Sequence, residues 1–122
     1  MAYLLPQEIE VWYIIPAIRK EFAKIFTSKY GLSYEKAGEL LGISKAAVSQ
    51  YISNKRANKV CLNKGTQDEI LKSAERVVMD NGVVMREMQR ILKLMKENCS
   101  SCDVCKKFNK DVIKYCEGKP TY

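Results

Sequence analysis

The sequence predicts an all-α fold, and three observations carry that reading. Apolar residues recur at helical spacing, as in Ile18, Phe22, Ile25 and Phe26, and again in Val84, Met88, Ile91, Leu92 and Met95. Capping residues precede such stretches, and glycine-bearing turns follow them. Nothing alternates with a period of two for long enough to make a strand, with Val60–Leu62 as the weak exception.

Each element has its own local cause. In 7-QEIEVWYII-15, Ile9, Trp12 and Tyr13 stand at mostly helical spacing, with Ile14 and Ile15 following. Pro16 is expected to open a new helix at its first position, because Ile15 before it is pushed out of the helical region. A helix over 17–29 follows, and Gly31 stops it. Ser33 caps a short helix over 34–41, which Gly42 ends. Ser44 caps another over 45–53, and Asn54 closes it. The stretch 55-KRANKVCLNKG-65 is a basic connector. Thr66, with Glu69 three residues on, reads as a capping box that opens a helix to about Met79. Asp80-Asn81-Gly82 is a strong breaker, and a last long helix runs over 83–98.

The 122 residues suit one domain, or one small domain plus an appendage. Apolar residues make up 47%, enough to bury a core, and 29% are charged. The first eighteen residues are interrupted by Glu8, Glu10 and two prolines, so neither a transmembrane helix nor a signal peptide is expected. That implies a cytoplasmic protein with no membrane partner, whose thiols stay reduced, and argues against a disulfide framework. No catalytic role is expected: the chain has no histidine, no phosphate-cradling glycine loop and no obvious carboxylate pair.

The net charge of +7 is unevenly spread. Residues 33–65 carry six basic and two acidic side chains, for +4, whereas residues 66–98 carry six of each. A local excess of this kind is the electrostatic footprint of a polyanion partner; a solvated lysine-rich surface is the plain alternative.

The basic part contains 34-YEKAGELLGISKAAVSQYISNK-55, two short helices joined at Gly42. A helix-turn-helix needs a small residue where its helices cross, here Gly38, and a residue tolerant of positive φ in the turn, here Gly42. Ile43, Val48, Leu40, Leu41 and Ile52 supply a small core. The pattern Gly38, Gly42, Ile43, Val48, Ser49, Tyr51 and Ile52 resembles the helix-turn-helix of the phage-repressor regulators, the Cro-like, xenobiotic-response-element type. That resemblance covers residues 17–56, and its common crossing residue is alanine rather than glycine. It implies a DNA-binding domain with 44-SKAAVSQYIS-53 as the helix that enters the major groove.

With Val48, Tyr51 and Ile52 turned inward, the groove-facing set is Ser44, Lys45, Ala46, Ser49, Gln50 and Ser53. Gln50 can pair bidentately with adenine, Lys45 can reach guanine acceptors, and Ala46 can meet a thymine methyl. Asn54, Lys55, Arg56 and Lys59 are placed to hold phosphates of the double-stranded DNA. Regulators of this type usually bind palindromic sites as homodimers. The candidate interfaces are the Trp12, Tyr13, Ile14 and Ile15 group and the 66–98 helix pair, although either stripe could be plain core.

Four of the five cysteines stand in 99-CSSCDVCKKFNKDVIKYC-116. Cys99, Cys102 and Cys105 follow C-x2-C-x2-C, and Cys116 comes after ten intervening residues. Four readings compete. Buried thiols would not cluster beside Lys106, Lys107, Lys110 and Lys114. A thiol–disulfide switch lacks the strand that precedes C-x-x-C in thioredoxin-like units. Structural Zn2+ usually takes its thiols as two separated pairs. An iron–sulfur cluster spreads its ligands over several irons, and the close triplet matches that of bacterial ferredoxins, without the C-P element. The favoured cofactor is [4Fe-4S], with [3Fe-4S] or Zn2+ as alternatives. Radical enzymes use C-x3-C-x2-C, a different spacing. Cys61 in the connector reads as a small apolar anchor.

Three stretches, 11-VWYIIPAIR-19, 42-GISKAAVSQYIS-53 and the 99–116 cysteines, also resemble a group of archaeal transcriptional regulators with a cysteine-rich C-terminus. The expected organisation is a helix-turn-helix domain over 1–60, a connector and helix pair over 61–98, and a small cluster-binding segment over 99–122. The expected function is that of a regulator whose cluster senses iron, sulfur or redox status. A helix-turn-helix regulator with a passive zinc staple, a protein-interaction module and an electron-transfer protein are the alternatives.

Overall fold

The structure is a computed structural model that describes residues 5–57, 60, 62–80 and 83–97. The described residues are all-helical, with no strand at Val60 or Leu62. In order the elements are α1 (Pro6–Ile9), a π-helical segment (Glu10–Ile14), α2 (Ile15–Ser28), α3 (Tyr34–Leu41), α4 (Lys45–Ile52), α5 (Lys64–Asp80) and α6 (Val84–Glu97). The expected Asn81-Gly82 breaker, Cys61 and the 99–122 cysteine segment lie outside the described residues.

The first three elements form one continuous helical path, which corrects the expected break at Pro16. Ile15 keeps right-handed helical dihedrals (φ −59°, ψ −47°). A proline ring inside an α-helix clashes with the carbonyl four residues back and removes one hydrogen bond. Here the turn before Pro16 widens instead, and the Ile15 N–H donates to the Glu10 carbonyl five residues back. The wider turn gives the ring its space without ending the helix.

Helix α2 presents the predicted apolar face. Ile18, Phe22 and Phe26 are fully buried, and the Phe22 and Phe26 rings lie 5.7 Å apart between centroids. Gly31, at φ +64°, turns the chain away, with the Leu32 N–H returned to the Phe26 carbonyl at 2.9 Å. Ile70, Ala74 and Val77 of α5 and Ile91 and Met95 of α6 join the α2 residues in one hydrophobic cluster.

Helix α5 starts two residues before Thr66, so the expected capping box is not formed. Asn63 is the cap: its Oδ1 accepts from the Thr66 N–H at 2.8 Å. Glu69 is engaged elsewhere. Its carboxylate accepts from Arg90 Nη1 of α6 at 2.9 Å. Arg90 also donates to Ser73 Oγ at 2.6 Å and to Glu87 at 3.3 Å, and Arg76 reaches Glu87 at 3.0 Å. This network ties α5 to α6 through polar groups that the apolar stripes leave at the seam.

The network makes folding acid-sensitive. The hydrogen bond from Arg90 holds the Glu69 carboxyl below its ordinary value of 4.5, with Lys72 acting the same way. For Glu87, burial alone would raise the value, but hydrogen bonds from Ser73, Arg76 and Arg90 prevail and lower it. Carboxylates depressed in the folded state contribute stability above their unfolded value and lose it as pH falls through the folded value. The melting temperature is therefore expected to hold from pH 7 to about 5 and to fall between about pH 5 and 3. Arg90→Met should flatten that fall, and thermal melts followed by circular dichroism across the range check it.

Candidate nucleic-acid interface

Local chemistry fixes α3, the turn and α4 almost residue by residue. Ser33 caps α3 by accepting from the Lys36 N–H at 3.1 Å. Gly42 ends it at φ +71°, where a β-carbon would be strained. The Ile43 N–H donates to the Gly38 carbonyl at 2.9 Å, and Ser44 then caps α4 by accepting from the Ala47 N–H at 3.0 Å. Gly38 lies where the chain comes back: a Cβ there would stand 2.6 Å from the Ile43 carbonyl oxygen.

This frame sorts the faces of α4. Ala47, Val48 and Tyr51 are buried, and Ile52 packs half-buried against the same cluster. Ser44, Lys45, Ala46, Ser49 and Ser53 are exposed, and Gln50 is half-exposed. The six residues expected to face the groove thus share the outward side of one two-turn helix, with Ser44 and Lys45 at its N-terminal end. No ion pair involves Lys45 among the described residues.

The chain beyond α4 is turned by two residues at positive φ, Asn54 (65°) and Ala57 (57°). The Gln50 carbonyl accepts from the Lys55 and Arg56 N–H groups at 2.8 and 3.2 Å, which holds both exposed cations next to the helix end. The Arg56 guanidinium lies 6.0 Å from the Tyr51 ring centroid, within cation–π range. Lys59 lies outside the described residues. The sequence reading missed Lys20, whose Nζ donates to Asn54 Oδ1 across 34 residues of chain. It carries a further cation from α2 to the same surface, and no local pattern marks a contact so distant in sequence.

The expected metal ligands Cys99, Cys102, Cys105 and Cys116 lie outside the described residues. Among the described residues no group of three or more cysteine, aspartate or glutamate side chains could hold a metal ion. Likewise no described helix is long and apolar enough to cross a membrane. Of the candidate dimer stripes, Ile14 is fully buried, while Trp12 is 55% exposed and Val11 beside it 57%. No protein-family model matches the chain, and no curated protein or solved structure is significantly similar to it.

Proposed function

We propose that the chain is a DNA-binding transcriptional regulator of the Cro-like helix-turn-helix kind, with α4 as its reading helix. The observation that carries this is the outward face of α4. It combines small side chains, which let a helix approach base edges, with one amide and one lysine that can hydrogen-bond them. Lys55 and Arg56, in the part of the chain where the charge excess is concentrated, and Lys20 from α2 flank that face as phosphate contacts. One such unit touches few base pairs, so the regulator acts as a homodimer on a palindromic operator.

The C-terminal donor set supports a cluster-bearing form of this regulator. Four thiols and no histidine leave thiolate as the characteristic soft ligand, which suits [4Fe-4S] and equally permits a zinc staple. Cys99, Cys102, Cys105 and Cys116 would hold the group, and a cluster would supply sensitivity to iron, sulfur or redox status.

Selection of bound sequences from a random duplex pool, followed by titrations of the selected site, tests the reading. Lys45→Ala and Gln50→Ala should each weaken specific binding by about 1–3 kcal/mol, and Gln50→Ala should also relax base preference at one position. Lys55→Ala should weaken all duplexes alike and make the salt dependence shallower. A chain that selects no sequence, or whose binding ignores Lys45 and Gln50, is not this regulator. Iron and acid-labile sulfide measured after anaerobic purification decide the cofactor: stoichiometric zinc in a colourless protein removes the sensor.

A further inference from the structure

A cavity of about 360 Å³ opens between the start of α2, the end of α3 and the first half of α6. Ile15, Leu40, Met88 and Leu92 line it, together with Val83 and Met85, which remain 57% and 72% exposed. Large apolar side chains left open to water beside a concavity mark a surface that something covers. The concavity follows α6 from Val83 to Leu92, and an open apolar groove along a helix is the shape that an amphipathic helix fills.

The chain carries such a pattern itself. It continues past α6 as residues 98–122, where Val104, Phe108, Val112 and Tyr115 stand at i, i+4, i+8 and i+11. That spacing is one face of a helix, and an apolar face of this kind has to be buried. Length fits the groove. A helix over 104–115 spans about 18 Å, as does α6 from Glu97 back to Met85. Residues 98–103 are then the connection, within the roughly 2–8 residues usual between helices that pack side by side. Charge fits as well. Lys107 and Lys114 fall along one flank of the stripe. Of the two charged residues in the wall, Arg19 is half-buried and Glu39 is exposed. The contact of Glu39 with Lys36, at 3.8 Å on an exposed face, offsets little of its charge.

We propose that the groove is the docking site for the chain's own segment 104–115, folded back along α6. In the antiparallel register Phe108 meets Leu92, Val112 meets Met88 and Tyr115 covers Met85. Gly42 belongs to the same wall, so the docked segment touches the turn that joins α3 to α4. A straight helix holds residues 105 and 116 about 16 Å apart, too far for Cys105 and Cys116 to share one metal centre. Docking therefore belongs to the metal-free chain, and the four-thiolate site undoes it; this last step alone rests on the cofactor reading above.

The test uses the full chain, reduced and treated with chelator. With 13C-methyl-labelled methionines, the native chain should show NOEs from the Met85 methyl to the Tyr115 ring and from the Met88 methyl to Val112. Met85→p-benzoylphenylalanine, irradiated and mapped by mass spectrometry, should cross-link within one chain to residues 104–115. Val112→Asp should abolish that cross-link and move the Met85 and Met88 signals, with Met79 unmoved. Cross-links that join two chains, cross-links outside 104–115, or absence of both NOEs overturns the proposal. Loading with iron and sulfide, or with zinc, should abolish the cross-link. A chain that docks its segment but takes up no metal upholds the docking and fails the cofactor reading instead.

Discussion

Gly38→Val is expected to cost about 3 kcal/mol of stability, and Gly38→Ala to be unfavourable where a helix interior normally gains. Replacing glycine by alanine inside a helix stabilises it by about 1 kcal/mol, because the backbone loses less freedom on folding. In α3 the Cβ would stand 2.6 Å from the Ile43 carbonyl oxygen, well inside contact distance. That oxygen cannot simply swing away. The Ile43 N–H is bonded to the Gly38 carbonyl, and the next residue, Ser44, caps α4. Relief therefore requires α4 to move relative to α3, and overpacking of this kind costs about 1–3 kcal/mol, outweighing the propensity gain. Valine adds two further carbons in the same space. Urea denaturation of the three proteins measures the order, native above alanine above valine. A higher midpoint for Gly38→Ala would show that the crossing is looser than described.

Phe22→Ala is expected to cost about 3–5 kcal/mol, the range for deleting a buried aromatic ring. Phe22 is fully buried and packs beside Phe26 in the cluster that α5 and α6 complete. Helix α2, which carries the ring, packs against α3, α4 and α5. A small domain typically has about 5–15 kcal/mol in total, so this one change removes a large share. The denaturation midpoint should drop with little change in slope. A loss below about 1 kcal/mol would mean that the cavity is refilled by its neighbours.

The parts legible in the sequence are those whose causes are local. Ser33, Gly42 and Ser44 act within three residues of themselves, and α3 and α4 fall where those residues put them. The faces of α4 followed from period alone, and none of the residues expected to face outward is buried. The misreadings arose where distant partners decide. Thr66 and Asn63 are both good caps three residues apart; Asn63 took the role, and Glu69 was drawn to Arg90, 21 residues away. Lys20 meeting Asn54, and Arg19 meeting a cavity walled by α6, belong to the same class. At Pro16 the residue-before-proline rule lost to a neighbouring turn that could widen.

That widened turn also sets a phase. At 3.6 residues per turn, five steps would carry Ile14 about 140° round the screw from Ile9. Both are nonetheless fully buried, and the surplus residue in the wider turn between them reduces that offset. In the same turn Trp12 and Val11 look out to water. A chain one residue shorter between Glu10 and Ile14 could still be helical throughout, but its first two turns would be dialled round by about 100°, trading an indole outside for an isoleucine.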